Sequence, residues 1–203
     1  MSLAQGPDGR PRCSWAMSAP DYIDYHDEEW GRPVTDDRGI YERLTLEAFQ
    51  SGLSWLTILR KREAFREAFE GFDYERVAEF DDRDRKRLLG DAGIVRNRAK
   101  IDATIANAHA ARELAADGGS LAELAWRFRT DRDGAPASIE ALPAMTPESK
   151  ALATELKRSG FRFVGPTTAY ALMQAVGIVN DHLRGCAVRD EVETARRTAP
   201  GAP

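Results

Sequence analysis

Through the middle of the chain, apolar side chains return every three or four positions, the spacing that gives a helix one buried stripe. Ile40, Leu44 and Ala48 form such a stripe, behind Asp36 or Asp37 as its N-cap. The pattern continues in short helices over 53–59 and 62–69, around 74–80, and over 81–89. A long helix follows from Asn97 to about Ala116, with Ile101, Ile105 and Ala108 turned inward. Thr146-Pro147 marks a helix start, because threonine caps the free amides and proline loses nothing at the first helical position. That helix runs to about Ser159, where Gly160 suits the C-terminal cap. Another covers about 166–176 with Ala169, Leu172, Met173 and Val176 on one face. Phe161–Val164 and Ile178-Val179 are too short to stand as strands, so the pattern predicts an all-α protein. Residues 131–147 form a Pro/Gly/Ala-rich connection, residues 1–11 a disordered extension and residues 188–203 a flexible tail, leaving a single domain over 12–187.

Composition narrows the class. Hydrophobic residues at 42 % of 203 can bury a core, which excludes a wholly disordered, collagen-like or disulfide-scaffold chain. No run of apolar residues is long enough to span a membrane, and the N-terminus lacks the apolar stretch of a secretory signal. With only two cysteines, the expectation is a cytoplasmic protein. The net charge of −4 gives no bulk attraction to nucleic acid, so any such binding must come from a local patch.

Three constellations carry chemistry. Cys13 and His26 lie near one end, His182 and Cys186 near the other. Two sulfurs and two imidazoles suit a closed tetrahedral Zn²⁺ that staples the ends together. The spacing matches no standard finger, and read alone it equally fits buried cysteines and ordinary histidines. Residues of about 150–178 alternate helix, hairpin and helix, a helix–hairpin–helix whose backbone amides around Gly165 can meet a DNA phosphate. Lys157, Arg158 and Arg162 add local positive charge, and Arg96, Arg98, Lys100 and the run Arg60-Lys61-Arg62 are further candidates for that face. An ordinary packed αα-hairpin is the competing interpretation. Finally, Glu47 shares the stripe of Ile40 and Leu44, a costly place for a carboxylate unless it is paired or used. An ion pair with Arg43 would account for it. Trp15, Tyr22, Tyr25, Trp30 and Trp55 cluster in the same part of the chain, and aromatic faces around one anion suit a flat cationic heterocycle. His109 lies on a polar helical stretch and is expected to be solvated.

With these residues in view, the chain resembles the DNA-3-methyladenine glycosylase I family of the helix–hairpin–helix superfamily. The likeness runs from about Arg12 to Cys186, through RCSW (12–15), YHDEEWG (25–31), LEAFQSGLSW (46–55), DAGIVRNRAKI (91–101) and GFRFVGPTTAYALMQAVGIVNDH (160–182). The resemblance implies one structural Zn²⁺ per chain on Cys13, His26, His182 and Cys186. It implies base recognition by Glu47 and Tyr25, stacking by Trp55, and pocket walls from Trp15, Tyr22 and Trp30. It puts the DNA-binding hairpin at Phe161–Thr168, including Arg162, Phe163, Val164, Gly165, Thr167 and Thr168. Many superfamily relatives carry a catalytic aspartate where this chain has Asn180, and Asp181 remains a candidate contributor. The implied activity is monofunctional: release of 3-methyladenine from alkylated double-stranded DNA, leaving an abasic site, by a monomer with no membrane attachment. Two other classes remain, a non-catalytic zinc-stapled DNA-binding module and a zinc hydrolase. Glu47 and the aromatic set argue against the first, and a four-ligand N/S set with no open position argues against the second.

Overall fold

The computed structural model describes residues 3–130 and 134–199. Two short strands, β1 (Leu3–Gln5) and β2 (Pro11–Cys13), pair antiparallel with Leu3 opposite Cys13. The helices that follow are α1 (Asp21–Glu28), α2 (Asp37–Gln50), α3 (Trp55–Ala68), α4 (Tyr74–Val77) and α5 (Asp82–Gly90). After them come α6 (Arg98–Ala116), α7 (Leu121–Trp126), α8 (Pro147–Arg158), α9 (Pro166–Ala175) and α10 (Arg189–Thr198). The protein is mostly helical, as the periodicity predicts.

Local chemistry sets most of the boundaries. Asp36, Ser54, Asn97 and Ser120 each accept a first-turn amide at the start of α2, α3, α6 and α7. Asp81 and Thr146 close reciprocal capping boxes on α5 and α8. At the far end of α8, Gly160 takes a φ of +90°, and the Phe161 amide reaches back to the Leu156 carbonyl. That left-handed turn is open to glycine without strain.

Packing is centred on α2, which lies against α3, α6, α7 and α9 and is buried almost all round, Thr45 and Glu47 included. Beside it, Phe49, Phe65, Phe69 and Phe72 are fully buried in successive ring contacts with centroids 4.7 to 6.3 Å apart. Each such ring stabilises the fold by about 1.5–3 kcal/mol relative to exposure. The Tyr41 hydroxyl donates to the Thr104 carbonyl and the Trp126 indole to the Val34 carbonyl, so these amphipathic rings are buried without orphaned polar groups. A smaller apolar cluster gathers Leu3, Trp15 and Ile139 around Cys13, Leu183, Cys186 and Val188.

Several expectations are corrected. The two short helices expected over 53–59 and 62–69 are one continuous helix, α3. An all-α protein is expected, and 161–164 and 178–179 are indeed not strands, but β1 and β2 form a small two-stranded sheet. Of the extension 1–11, residues from Leu3 are ordered as half of a hairpin, held by pairing across to β2. The expected tail at 188–203 contains α10, fixed by buried Val192 and Arg196. Arg196 donates to the carbonyls of Gly177 and Ile178 and pairs with Glu193, so it holds the chain just beyond α9. Residues 1–2, 131–133 of the expected connection, and 200–203 of the expected tail lie outside the described residues.

Candidate active site and metal centre

A cavity of about 330 Å³ opens where α1, α2, α3 and α9 meet. Its lining comes largely in pairs three residues apart, which share a helix face. Tyr22 and Tyr25 come from α1, Glu47 and Gln50 from α2, and Ala171 and Gln174 from α9. Trp55 enters from the first turn of α3, while Trp15, Ser18 and Trp30 lie on the segments flanking α1. Trp15 is the corner of the aromatic wall: it meets Tyr22 edge-on at 5.5 Å and Trp30 at 5.1 Å. Tyr25 and Trp55 approach at 5.3 Å on the other side. The structure therefore brings together all six sequence-predicted pocket residues.

Glu47 borders this cavity at 7 % exposure and takes no hydrogen bond or ion pair from any described residue. The ion pair with Arg43 does not form; that guanidinium turns instead to Glu42 at 3.0 Å and Glu29 at 3.5 Å. Burial pushes the Glu47 carboxyl up to about 8, with the nearby Arg43 charge opposing the shift only in part. Burial, reinforced by Glu47, also holds the Tyr25 hydroxyl far above its usual range. The Trp55 indole N–H is buried without a partner. A slot lined by π faces, with an unpaired carboxyl group inside it, suits a flat cation that carries a hydrogen-bond donor.

Sequence reasoning missed Gln174, which lies just off the apolar stripe of α9. Its amide donates to Asp181 Oδ2 at 2.8 Å, and that same oxygen accepts from the Tyr170 hydroxyl. Asp181 is therefore engaged behind the wall. Asn180 donates to the Arg189 carbonyl and to Glu193, and it does not line the cavity.

Behind the Trp15–Trp30 wall sit Cys13, His26, His182 and Cys186, all buried, with one ligand atom from each inside a span of 4.8 Å. Cys186 Sγ lies 3.5 Å from His26 Nε2 and 3.6 Å from His182 Nδ1, and Cys13 Sγ lies 4.0 Å from His182 Nδ1. Tetrahedral bonds of typical metal–sulfur and metal–nitrogen length place such atoms about 3.6 Å apart. The remaining ring nitrogens are oriented as well, His26 Nδ1 by Asp27 at 2.7 Å and His182 Nε2 by the Trp30 carbonyl at 3.0 Å. The Leu183 amide donates to Cys13 Sγ at 3.3 Å. Close contact between the thiols pulls Cys186 down and drives Cys13 up, and burial adds to the rise of Cys13. These four residues fit a metal ion.

The turn between α8 and α9 is clamped by Asn107 of α6, which accepts from the Arg162 amide at 2.6 Å and donates to its carbonyl at 3.2 Å. Phe163 sits exposed at a φ of +56°, Val164 is buried, and Gly165 begins α9 with no side-chain cap. A Cβ on Gly165 would meet nothing within 4 Å, and no side chain caps the first turn of α9. Lys157 and Arg162 are exposed, whereas Arg158 is paired with Glu155 at 2.7 Å. Other basic candidates have structural partners. Lys100 is buried and donates to the carbonyls of Phe49 and Ser51, Arg60 pairs with Asp21, Lys61 binds the carbonyls of Ala92 and Gly93, and Arg62 pairs with Glu29. Arg96 and Arg98 are exposed. His109 is half-buried beside Arg112 at 3.2 Å.

Comparison with known proteins places this geometry. Residues 15–190 match the family model described as methyladenine glycosylase. The chain is 44 % identical over 177 residues to DNA-3-methyladenine glycosylase 1 of Escherichia coli (strain K12), covering 86 % of this chain and 95 % of that one. A crystal structure of 3-methyladenine DNA glycosylase I superposes with a TM-score of 0.84 at 47 % identity, covering 87 % and 98 % of the two chains. The Staphylococcus aureus enzyme, solved to define its 3-methyladenine recognition, gives 0.83 at 32 % identity over 88 % and 96 %.

Proposed function

The chain belongs to the methyladenine glycosylase family, and from that membership we propose how its residues carry out the excision. It is a DNA base-excision repair enzyme that hydrolyses the N-glycosidic bond of 3-methyladenine in alkylated DNA and leaves an abasic site. The unpartnered Glu47 carboxyl inside an aromatic cavity carries this reading. Methylation at N3 makes the purine a cation, so its glycosidic bond is already weak and the base departs neutral. The residues therefore need to select and position more than to protonate.

Trp55 stacks on the extruded base, while Trp15, Tyr22 and Trp30 enclose it and supply cation–π attraction worth up to about 2 kcal/mol when desolvated. Glu47 accepts from the exocyclic amine, Tyr25 hydrogen-bonds the base edge, and closure of the slot leaves ordered water for the oxocarbenium-like sugar. Unmodified adenine gains less from every one of these contacts. The bond is broken by hydrolysis, without a Schiff base on the protein.

The hairpin 161–168, in a helix–hairpin–helix of α8 and α9, binds the DNA backbone through the first-turn amides of α9, with Lys157 and Arg162 alongside. Cys13, His26, His182 and Cys186 hold one structural Zn²⁺, a closed N₂S₂ set that ties the N-terminal and C-terminal parts of the fold together. The enzyme works as a cytoplasmic monomer on duplex DNA. The deciding experiment is base release from N3-methylated DNA, with products separated by chromatography. The intact chain releases free 3-methyladenine, and Glu47→Gln is slowed by about 10²-fold with fold and metal content unchanged. Equal rates in the two would remove Glu47 from the site.

A further inference from the structure

The segment before the family match forms a hairpin whose side chains lead directly to one metal ligand. The match begins at residue 15, and β1, its turn and β2 all precede it. Arg12 on β2 is 3 % exposed and grips two carboxylates. Asp8, in the turn, faces Nη1 and Nη2 at 2.6 and 2.8 Å. Asp27, at the end of α1, accepts from Nε at 3.0 Å and from Nη2 at 2.8 Å. Asp27 Oδ1, which also accepts from Arg12 Nε, holds His26 Nδ1 at 2.7 Å, and His26 Nε2 faces Cys186. The backbone wraps the guanidinium so closely that a Cβ on Gly6 would come within 2.0 Å of Arg12 Nη1. Leu3 packs on the cluster of Cys13, Leu183 and Cys186, and the Pro11 carbonyl accepts the Ala187 amide at 2.8 Å. One hairpin thus touches the segments carrying both cysteines and, through Arg12 and Asp27, sets the orientation of a histidine.

We propose that the β1–β2 hairpin is a retention clasp for the bound ion, with Asp8 and Arg12 as positioning residues acting through Asp27 on His26. This rests on the zinc reading above. A carboxylate on the distal nitrogen fixes the ring of a ligating histidine and strengthens it as a donor. Asp27 can do so only while it is itself held, and a planar guanidinium gripped on both sides holds it better than one free to rotate. Asp8 completes that grip. It is the outermost and most exposed member, so its loss leaves the core of the fold untouched.

The test loads the full chain with zinc and follows transfer of the ion to a chromophoric chelator, comparing the native chain with Asp8→Ala and Asp8→Glu. Transfer is expected to accelerate about tenfold in Asp8→Ala, the lower end of the range for outer-shell partners, and to return toward the native rate in Asp8→Glu. Equal transfer rates in the native chain and Asp8→Ala, each holding one zinc, overturn the clasp alone. A native chain that takes up no zinc overturns the zinc reading and the clasp with it.

Discussion

At the scale of single residues, the role proposed for Glu47 makes activity depend on its protonation. With its carboxyl raised to about 8 by burial, the free enzyme offers an anion to the base in a fraction that grows as pH rises toward that value. The kcat/KM for methylated DNA is therefore expected to climb with pH and level off above about 8, and the climb is absent in Glu47→Gln; a pH–rate series on both proteins checks this. The same burial acts on the fold in the opposite sense. Unfolded, Glu47 ionises near the ordinary value of 4.5, so stability of the substrate-free protein falls between there and about 8. Glu47→Gln should lose less over that window in urea titrations. Trp55→Ala removes the stacking surface and should cost about 1–3 kcal/mol of base binding, measured on the free alkylpurine.

Among the elements, helix starts and stops were legible because caps are local chemistry. Thr146-Pro147 and Asn97 each do in the structure what their side chains dictate, and Gly160 what the lack of one allows. Elements held by distant partners were not legible. β1 has no alternating pattern, and its ordering comes from pairing with β2 and from an ion-pair chain across to α1. Within the Ala- and Arg-rich end of the chain, α10 is fixed by Arg196, whose buried guanidinium serves carbonyls beyond α9. Replacing Arg196 with Ala should therefore cost about 3–5 kcal/mol, a fall in Tm of roughly 10 °C for a chain of this size, seen by calorimetry. The candidate site was legible for the opposite reason: Glu47 and five aromatics are chemically conspicuous wherever they pack. Lys100 and the 60–62 run misled because charge alone does not show a partner, and theirs lie far along the chain, on α1, α2 and the segments that follow α1, α2 and α5. For the hairpin, Asn107→Ala frees the Arg162 backbone and should weaken DNA binding without altering uptake of the free base. Removing Lys157 and Arg162 charge should instead flatten the salt slope of DNA binding equally across sequences.

Over the whole molecule, the Cys13–His26–His182–Cys186 cluster and the aromatic cavity share a wall. Trp15 meets His26 at 5.2 Å and Trp30 meets His182 at 4.7 Å, so the rings that face the cavity rest on the ligand set. Cys186→Ser, or exhaustive chelation, should lower Tm by roughly 10 °C or more and slow base release in step with the metal lost; an unchanged melting curve after verified metal loss would separate the two. There is a consequence for how the enzyme is born. Cys13 and His26 precede His182 and Cys186 by more than 150 residues, so during synthesis the cluster behind the slot closes only after α9 has been made. Until His182 arrives, the Trp30 ring lacks the imidazole it rests on, so the aromatic wall and the cluster behind it are completed together.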